Sequence, residues 1–279
     1  MYNQNLHTHS TYCDGKDTLE EMVNSAISFG FSSIGFSSHC HTGLSFDECG
    51  IESLEKQSLY ISELEKLNSK YNDKIRIYKG LEMESRYINT NNPHIDPRLD
   101  YSIGSIHLFW LEDQTFAVDN TPDEFLKAQE AFGGLRPLLE SYYAELIRFA
   151  SISNYDITGH VDLVTKFNEI MNWDFECYPW YIDAAIAATD ALIQEEKIIE
   201  VNTGAISRGY RTSPYPAPFI LGRIKEKKGR ILLSSDCHDK NHLTEKFDET
   251  VAMLESIGFT ELYTLTDEGF KASAISRFI

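Results

Sequence analysis

Histidines and acidic residues recur in short groups along this chain, with the spacing of metal ligands. The groups are His7-Thr-His9, His39-Cys-His41, Gly-His160-Val-Asp162 and Ser-Asp236-Cys-His238, with a single His107 between the second and the third. A mixture of imidazoles and carboxylates suits Zn, Fe or Mn, whereas Mg and Ca prefer oxygen ligands almost alone. Because one ion cannot use so many donors, we predict two to three divalent transition-metal ions, zinc first among them, with a carboxylate such as Glu82 bridging a pair.

The elements that must position these groups are short apolar runs that alternate with longer stretches of helical period. The β-branched and aromatic content of the runs predicts strands at 2–6, 33–37, 75–79, 101–106, 156–158, 198–201, 230–233 and, more weakly, 262–265. Helices are predicted after a capping box at Thr18 and Glu21, and at about 51–71, 138–152, 180–196 and 247–257. The stretch 168–179 has neither pattern and predicts a long loop.

Seven or eight strand-helix units in one chain predict an α/β fold that closes, or nearly closes, into a barrel. A doubly wound open sheet is the alternative, although no GxGxxG motif follows the first strand. The C-terminal ends of barrel strands converge on one face, where such proteins place their sites. Nearly every predicted strand is followed by candidate ligands: His7 and His9, His39 and His41, Glu82 and Glu84, His107, His160, and Asp236 and His238.

Composition limits the partners of this protein. Lys and Arg total 25 against 43 for Asp and Glu, which gives a net charge of −18. Such a surface repels nucleic acid, whose binding rests on basic side chains, and favours small cationic ligands. Five cysteines without a CxxC pattern indicate a reducing compartment, and no signal peptide or long apolar run is present. We therefore expect a soluble cytoplasmic protein that binds neither nucleic acid nor membrane.

These motifs resemble, in order and over nearly the whole chain, those of the polymerase-and-histidinol-phosphatase (PHP) family. The segments that carry the resemblance are His7-Thr-His9-Ser-Thr-Tyr-Cys-Asp14-Gly, Ser-Ser-His39, Gly-Leu-Glu82-Met-Glu84, Gly-Ser-Ile-His107, Gly-His160-Val-Asp162 and Ser-Ser-Asp236-Cys-His238. The chain length, Glu200-Val-Asn202-Thr-Gly and Pro214-Tyr-Pro216 resemble the free-standing histidinol-phosphate phosphatases of that family. One departure is Ser38, where many relatives carry Asp before the histidine.

The resemblance implies one PHP-type metallophosphatase domain over residues 1–279, folded as a distorted, TIM-like (β/α)7 barrel of parallel strands around a trinuclear centre. It implies three ligand sets, which are His7, His9, Glu82 and Asp236; Glu82, His107 and His160; and Asp14, His39 and His238. The implied reaction is hydrolysis of a small-molecule phosphate ester, L-histidinol phosphate, to L-histidinol and phosphate in histidine biosynthesis.

A metal-bridging hydroxide is the expected nucleophile, because two ions can lower the pKa of a bound water to about 7 and no DxDxT motif or P-loop is visible. Arg208 is the candidate for binding the phosphate, because a guanidinium can hold two oxygens at once. His41 is the candidate acid for the leaving alcohol. Weaker candidates are Arg86 for the phosphate, His242 for the acid, and Glu84, Asp162 or Asp174 for the substrate amine.

Three other functions stay open from the residues alone. A phosphodiesterase, a nuclease or another phosphomonoesterase would use the same metal chemistry, although the acidic surface disfavours nucleic acid. An amidohydrolase barrel also begins with HxH, but neither Lys79 nor Lys166 has the position that its central lysine requires. A metal-binding protein without catalysis would need only about four ligands for each ion and no neighbouring arginine.

Overall fold

The computed structural model describes residues 3–44, 49–88, 96–152 and 155–275. The strands are β1 (Gln4–Asn5), β2 (Ser33–Phe36), β3 (Arg76–Lys79), β4 (Glu82–Glu84), β5 (Ile103–Ser105), β6 (Leu108–Leu111), β7 (Gln114–Ala117), β8 (Ile157–Thr158), β9 (Ile198–Asn202), β10 (Arg230–Ser234), β11 (Glu261–Thr266) and β12 (Gly269–Ala274). The helices are α1 (Leu19–Ser28), α2 (Leu54–Lys70), α3 (Ser85–Ile88), α4 (Pro122–Ala131), α5 (Leu135–Ala150), α6 (Asn168–Met171), α7 (Pro179–Gln194), α8 (Gly204–Ser207), α9 (Pro218–Glu226) and α10 (Phe247–Ile257).

The parallel strands lie in two sheets, with orders β1-β2-β3 and β10-β9-β8-β5-β4. Two isolated parallel bridges join the sheets, one between Thr8 and Cys237 and the other between His39 and Glu82. Because only Gly80 and Leu81 separate β3 from β4, these two segments act as one interrupted strand. The result is a ring of seven strand positions, which is consistent with the predicted distorted TIM-like barrel and disfavours the single open sheet.

All the predicted strands are present, although their ends are shifted. One of them does not pair with the parallel strands of the predicted barrel. The eighth predicted strand is β11, which pairs antiparallel with β12 and lies outside the parallel ladder. The sequence did not predict β4, the β6–β7 hairpin, α4 or α9. The loop predicted at 168–179 contains α6 and a 3₁₀ turn, Phe175–Cys177. The interpretation of residues 1–279 as one domain stays a prediction.

Helix α1 shows how a local signal fixes the start of an element. The Thr18 side chain accepts a hydrogen bond from the Glu21 backbone N–H, and the Glu21 carboxylate accepts one from the Thr18 N–H. These two bonds satisfy donors that a helix N-terminus otherwise leaves free. The helix then buries the face that its apolar period predicts, namely Leu19, Met22, Val23 and Ala26.

The barrel interior holds an apolar cluster that the β11–β12 hairpin completes. The cluster contains Leu6, Tyr78, Tyr101, Ile103, Ile157, Ile198, Leu232 and Leu265. The Gln4 amide donates to the Leu265 carbonyl at 2.9 Å and accepts from the Leu265 N–H at 2.8 Å. Since Gln4 begins β1, the hairpin covers the N-terminal end of the barrel, opposite the end that carries the histidines. In the described part of the chain, no helix has the length and apolarity needed to cross a bilayer.

Tyr101 fills the barrel at a point where β2 and the β3–β4 strand carry glycine. Its hydroxyl donates to the Leu6 carbonyl, and its ring lies where a Cβ on Gly35 or Gly80 would be. We expect Gly80→Ala to lower the free energy of unfolding by about 1–3 kcal/mol, because the ring cannot move in a packed core.

Urea unfolding measures this effect. The matched control is Gly222→Ala in the middle of α9, where an added Cβ meets nothing within 4 Å. That change should be neutral or stabilise by up to about 1 kcal/mol, since alanine favours helix. Equal unfolding midpoints for the two variants would contradict the proposed packing.

Candidate metal centre

All nine predicted ligands lie at the C-terminal mouth of the barrel. His7 and His9 follow β1, His39 follows β2 and Glu82 opens β4, while Asp14 lies in the loop before α1. The remaining four follow β5, β8 and β10; they are His107, His160, Asp236 and His238. The convergence predicted from the order of ligands along the sequence is therefore present.

Glu82 lies at the centre of the group. Its side chain is almost fully buried, and its two oxygens lie 3.0–3.5 Å from nitrogens of five imidazoles, those of His7, His9, His39, His107 and His160. One carboxylate oxygen faces His7, His9 and His39, and the other faces His107 and His160. This is the arrangement expected of a carboxylate that bridges two ions.

Two further carboxylates complete the cluster. Asp236 Oδ1 lies 3.2 Å from His9 Nε2 and 3.4 Å from His238 Nδ1. Asp14 Oδ2 lies 3.1 Å from His238 Nε2 and 3.8 Å from His39 Nε2.

The donor atoms form overlapping sets. Those that lie within 4.8 Å of one another are His9, Asp14, His39 and His238; His7, His160 and Asp236; His7, His9 and Glu82; and His39, Glu82 and His107. Every predicted ligand occurs in at least one set. The division of these residues among three ions stays a prediction.

Unpartnered polar atoms show that the cluster fits a metal. The Nε2 atoms of His7 and His9 and Oε2 of Glu82 are buried and have no hydrogen-bond partner among the described residues. Buried polar atoms of this kind are normally satisfied. They face one another here, so divalent cations between them would supply the missing interactions.

Neighbouring charges set the protonation states in the cluster. Burial opposes ionisation of Glu82, but His7 and His39 hold the pKa of its carboxyl well below the usual value. Burial, aided by the nearby His238 and His39, lowers the pKa of His9 to about 3. An ionised carboxylate and a neutral imidazole are the forms that bind metal ions.

Glu84 contacts the candidate ligand His107 through both its backbone and its imidazole. Its Oε2 accepts from the His107 backbone N–H at 2.8 Å and lies 3.4 Å from His107 Nδ1, while Ser85 Oγ donates to its Oε1. Glu84 therefore orients a predicted ligand.

A cavity of about 750 Å³ opens beside the cluster, and Arg208 and Lys166 are the Lys and Arg residues among those that line it. The Arg208 guanidinium donates to the Asp236 carbonyl at 3.0 Å and to Asp236 Oδ2 at 2.9 Å. The Lys166 ammonium donates to the Asp119 carbonyl at 2.7 Å and to Asp119 Oδ2 at 2.9 Å. Arg208 was predicted from the sequence as the phosphate-binding residue. Lys166 was examined only as the central lysine of an amidohydrolase, so its position in this cavity was not predicted.

The other candidates from the sequence for the phosphate and the acid are not among the residues that line this cavity. The backbone N–H of His41 donates to Gln57 Oε1, its Nδ1 pairs with the Ile51 carbonyl at 2.9 Å, and it is not among the lining residues. His242 pairs with Glu245, and Arg86 lines a smaller, separate cavity.

Of the three residues considered for the substrate amine, Glu84 lines the cavity, whereas Asp162 and Asp174 do not. Asp162 accepts from the Ala217 N–H, and Asp174 from the Cys177 N–H. The role of His41 as the acid stays a prediction.

A β/α barrel with imidazoles and carboxylates gathered at its C-terminal mouth defines a class of polynuclear metal proteins. Comparison with known families gives a match to the PHP domain over residues 5–204. The chain belongs to the PHP family.

Similar proteins cover nearly the whole chain. The histidinol-phosphatase of Bacillus subtilis is 25% identical over 262 residues, which cover 85% of this chain and 94% of that protein. The structure of a putative histidinol phosphatase from Listeria monocytogenes has a TM-score of 0.80 at 16% identity, covering 88% of this chain and 99% of that one.

A second solved structure is histidinol phosphate phosphatase from Lactococcus lactis, with a TM-score of 0.73 at 21% identity, covering 96% of this chain and 98% of that one. That protein was crystallised in complex with Zn, L-histidinol and phosphate.

Proposed function

We propose that this protein is a metal-dependent phosphomonoesterase that hydrolyses L-histidinol phosphate to L-histidinol and phosphate. One observation carries the proposal: the nine candidate ligands form overlapping sets at the barrel mouth, and seven of them line one cavity together with two basic side chains. Relatives named histidinol-phosphatase match the chain over most of its length, which supports this substrate. Because five cysteines in no disulfide pattern suit a reducing compartment, we also propose that the reaction takes place in the cytoplasm.

We assign the metal ligands to the nine residues named above. Divalent ions bound there would lower the pKa of a water molecule and polarise the phosphoryl oxygens. Glu82 and Asp236 neutralise charge at the centre, and the buried imidazoles hold fixed orientations in the barrel mouth. The protein thus presents six imidazoles and three carboxylates to the ions.

Arg208 and Lys166 would bind the phosphate dianion of the substrate. Both line the cavity, and each is anchored by an ion pair with a carboxylate, Arg208 with Asp236 and Lys166 with Asp119. Such anchors lower the entropy that a long basic side chain loses on binding. Charge-assisted hydrogen bonds to phosphate are the strong kind.

The wall of the cavity next to β7 and α4 would receive the leaving group. Glu124 lines this wall and accepts from the Ala117 N–H at 2.9 Å and from the Asn120 amide at 3.0 Å. No Lys or Arg ion pair of Glu124 occurs in the described structure. Its negative charge suits the ammonium group of L-histidinol.

Glu124→Gln should therefore raise KM for L-histidinol phosphate by about threefold to fivefold, the worth of a half-exposed ion pair of about 1 kcal/mol. KM for propyl phosphate, whose leaving group is neutral, should not change. The matched control is Asp123→Asn, an exposed carboxylate one position away that does not line the cavity. An equal rise in KM for both substrates would argue against charge recognition by Glu124.

Purification without chelator, metal quantitation and rate measurement test the function itself. The panel should hold L-histidinol phosphate, other phosphomonoesters, bis-p-nitrophenyl phosphate and a short single-stranded DNA. We expect the highest kcat/KM with L-histidinol phosphate, no cleavage of DNA, loss of activity with chelator and recovery with zinc. Full activity in a metal-free sample, or faster turnover of the diester, would refute the proposal.

A further inference from the structure

We propose that Glu200 is a positioning residue that fixes His7 and His160 in the orientation required for metal binding. This inference rests on the proposed function, since it concerns the same centre. Glu200 lies in β9, its side chain is fully buried, and it is not among the residues that line the cavity. It therefore cannot touch the substrate and must act through other residues.

The Glu200 carboxylate accepts four hydrogen bonds, two on each oxygen. Oε1 accepts from His7 Nδ1 at 2.6 Å and from Ser234 Oγ. Oε2 accepts from the His160 backbone N–H at 2.9 Å and from the Asn202 amide at 2.9 Å. These donors come from β9 and β10 and from the residues that follow β1 and β8, so one side chain links four strand positions of the barrel.

The bond to His7 decides which nitrogen of that imidazole carries the proton. Because an ionised carboxylate can only accept, Nδ1 must donate, so in the neutral imidazole the lone pair is on Nε2. His7 Nε2 lies 3.1 Å from Glu82 Oε2 and 3.7 Å from Asp236 Oδ1. Glu200 thus presents His7 to the metal centre in the one tautomer that can bind an ion there.

The second bond acts on His160 through its backbone. Glu200 Oε2 holds the N–H of His160 at the point where the chain leaves β8, and His160 Nε2 lies 3.0 Å from Glu82 Oε1. His7 and His160 approach opposite oxygens of the Glu82 bridge. One buried carboxylate therefore sets the placement of ligands on both sides of that bridge.

Glu200→Gln is the sharpest test, because the amide is nearly the same size. Both oxygens of Glu200 receive only donors, so either orientation of the amide places an NH₂ against two donors. We expect the dissociation constant for zinc, measured by competition with a chromogenic chelator, to rise about 10–100-fold. The kcat should fall, whereas KM should stay within about twofold.

The control is Asp156→Asn at the opposite end of the barrel. Asp156 also accepts two hydrogen bonds from one partner, the N–H and hydroxyl of Ser102, but it contacts no candidate ligand. Its zinc affinity should equal that of the wild type. A Glu200→Gln protein with normal zinc affinity and a lowered unfolding midpoint would show a purely structural role and overturn the proposal.

A measurement on the wild-type protein keeps the proposal testable if Glu200→Gln does not fold. In a long-range ¹H–¹⁵N spectrum of the zinc-loaded protein, the His7 signal should show a protonated Nδ1 and an unprotonated Nε2. His7→Gln assigns that signal by its loss. The opposite tautomer would overturn the inference.

Zinc binding is measured without substrate. A protein that binds zinc but does not hydrolyse L-histidinol phosphate would therefore refute the proposed function and leave the role of Glu200 standing. Absence of zinc binding by the wild type would refute both.

Discussion

Glu82→Gln should remove at least two metal ions from the purified protein and nearly abolish phosphatase activity. Among the residues that the structure describes, Glu82 alone has its carboxylate facing five imidazoles, and it is almost fully buried. An amide is neutral and a poor ligand, so the surrounding imidazoles lose their shared partner. Metal ions supply several kcal/mol of transition-state stabilisation, and a loss of about 3–5 kcal/mol corresponds to roughly a 10²–10⁴-fold loss of kcat/KM.

Glu84→Gln is the matched control, two residues away on the same strand. Glu84 accepts from the His107 N–H and from Ser85, and a Gln carbonyl can retain one of these bonds. We expect metal content close to wild type and a loss of activity below about tenfold, the worth of one hydrogen bond. Elemental analysis and initial rates distinguish the two variants. Equal loss of metal from both would refute the different roles assigned to them.

The second large effect is expected for Arg208→Ala. We expect kcat/KM for L-histidinol phosphate to fall about 10²-fold, since two charge-assisted bonds to phosphate are worth about 3 kcal/mol. Inhibition by inorganic phosphate should weaken in parallel. Arg208→Lys should recover only part of the loss, because an ammonium cannot hold Asp236 and a phosphate oxygen with the same planar fork.

The control for Arg208 is Arg223→Ala, which removes a surface arginine paired with Asp190 and Glu226 on the outer helices. Its kinetics should equal those of the wild type. Arg208 also donates to the carboxylate of Asp236, so metal content should be measured in the same samples. Unchanged kinetics in Arg208→Ala would remove this residue from the site.

The barrel and the meeting of the candidate ligands at its mouth could be predicted from the sequence, because both depend on local patterns. A buried parallel strand is a short β-branched run, and the residue after such a run is carried to the barrel mouth wherever it lies in the chain. His7, His39, His107 and His160 could therefore be placed together although they span most of the chain. The relation of Asp14 to the cluster came only from the resemblance to the PHP family, because Asp14 lies in a loop.

Other parts of the structure depend on contacts that a local pattern does not carry. The β3–β4 strand carries a glycine at position 80, where the Tyr101 ring occupies the space that a Cβ would need. Lys166 reaches Asp119 across 47 positions, and Glu200 reaches His7 across 193. The periodicity of apolar residues along the sequence gives no information on such long-range side-chain pairs.

Helix α4 could have been predicted, because the sequence contains a helix-start signal at Thr121 and Pro122 that the sequence analysis did not use. Thr121 caps the helix by accepting from the Glu124 N–H, and Pro122 occupies the first turn.

The segment formed by β6, β7 and α4 lies next to the metal centre but contributes no candidate ligand to it. Residues of this segment form one wall of the cavity, but none of the nine candidate ligands belongs to the segment. His107 is the residue directly before its first strand, β6. Selectivity for the leaving group can therefore diverge through exchange of this one insert while the hydrolytic machinery is inherited unchanged. A chimera that receives this segment from a related phosphatase and keeps the Asp119–Lys166 ion pair should still bind its metal ions. Its leaving-group preference should be that of the related phosphatase.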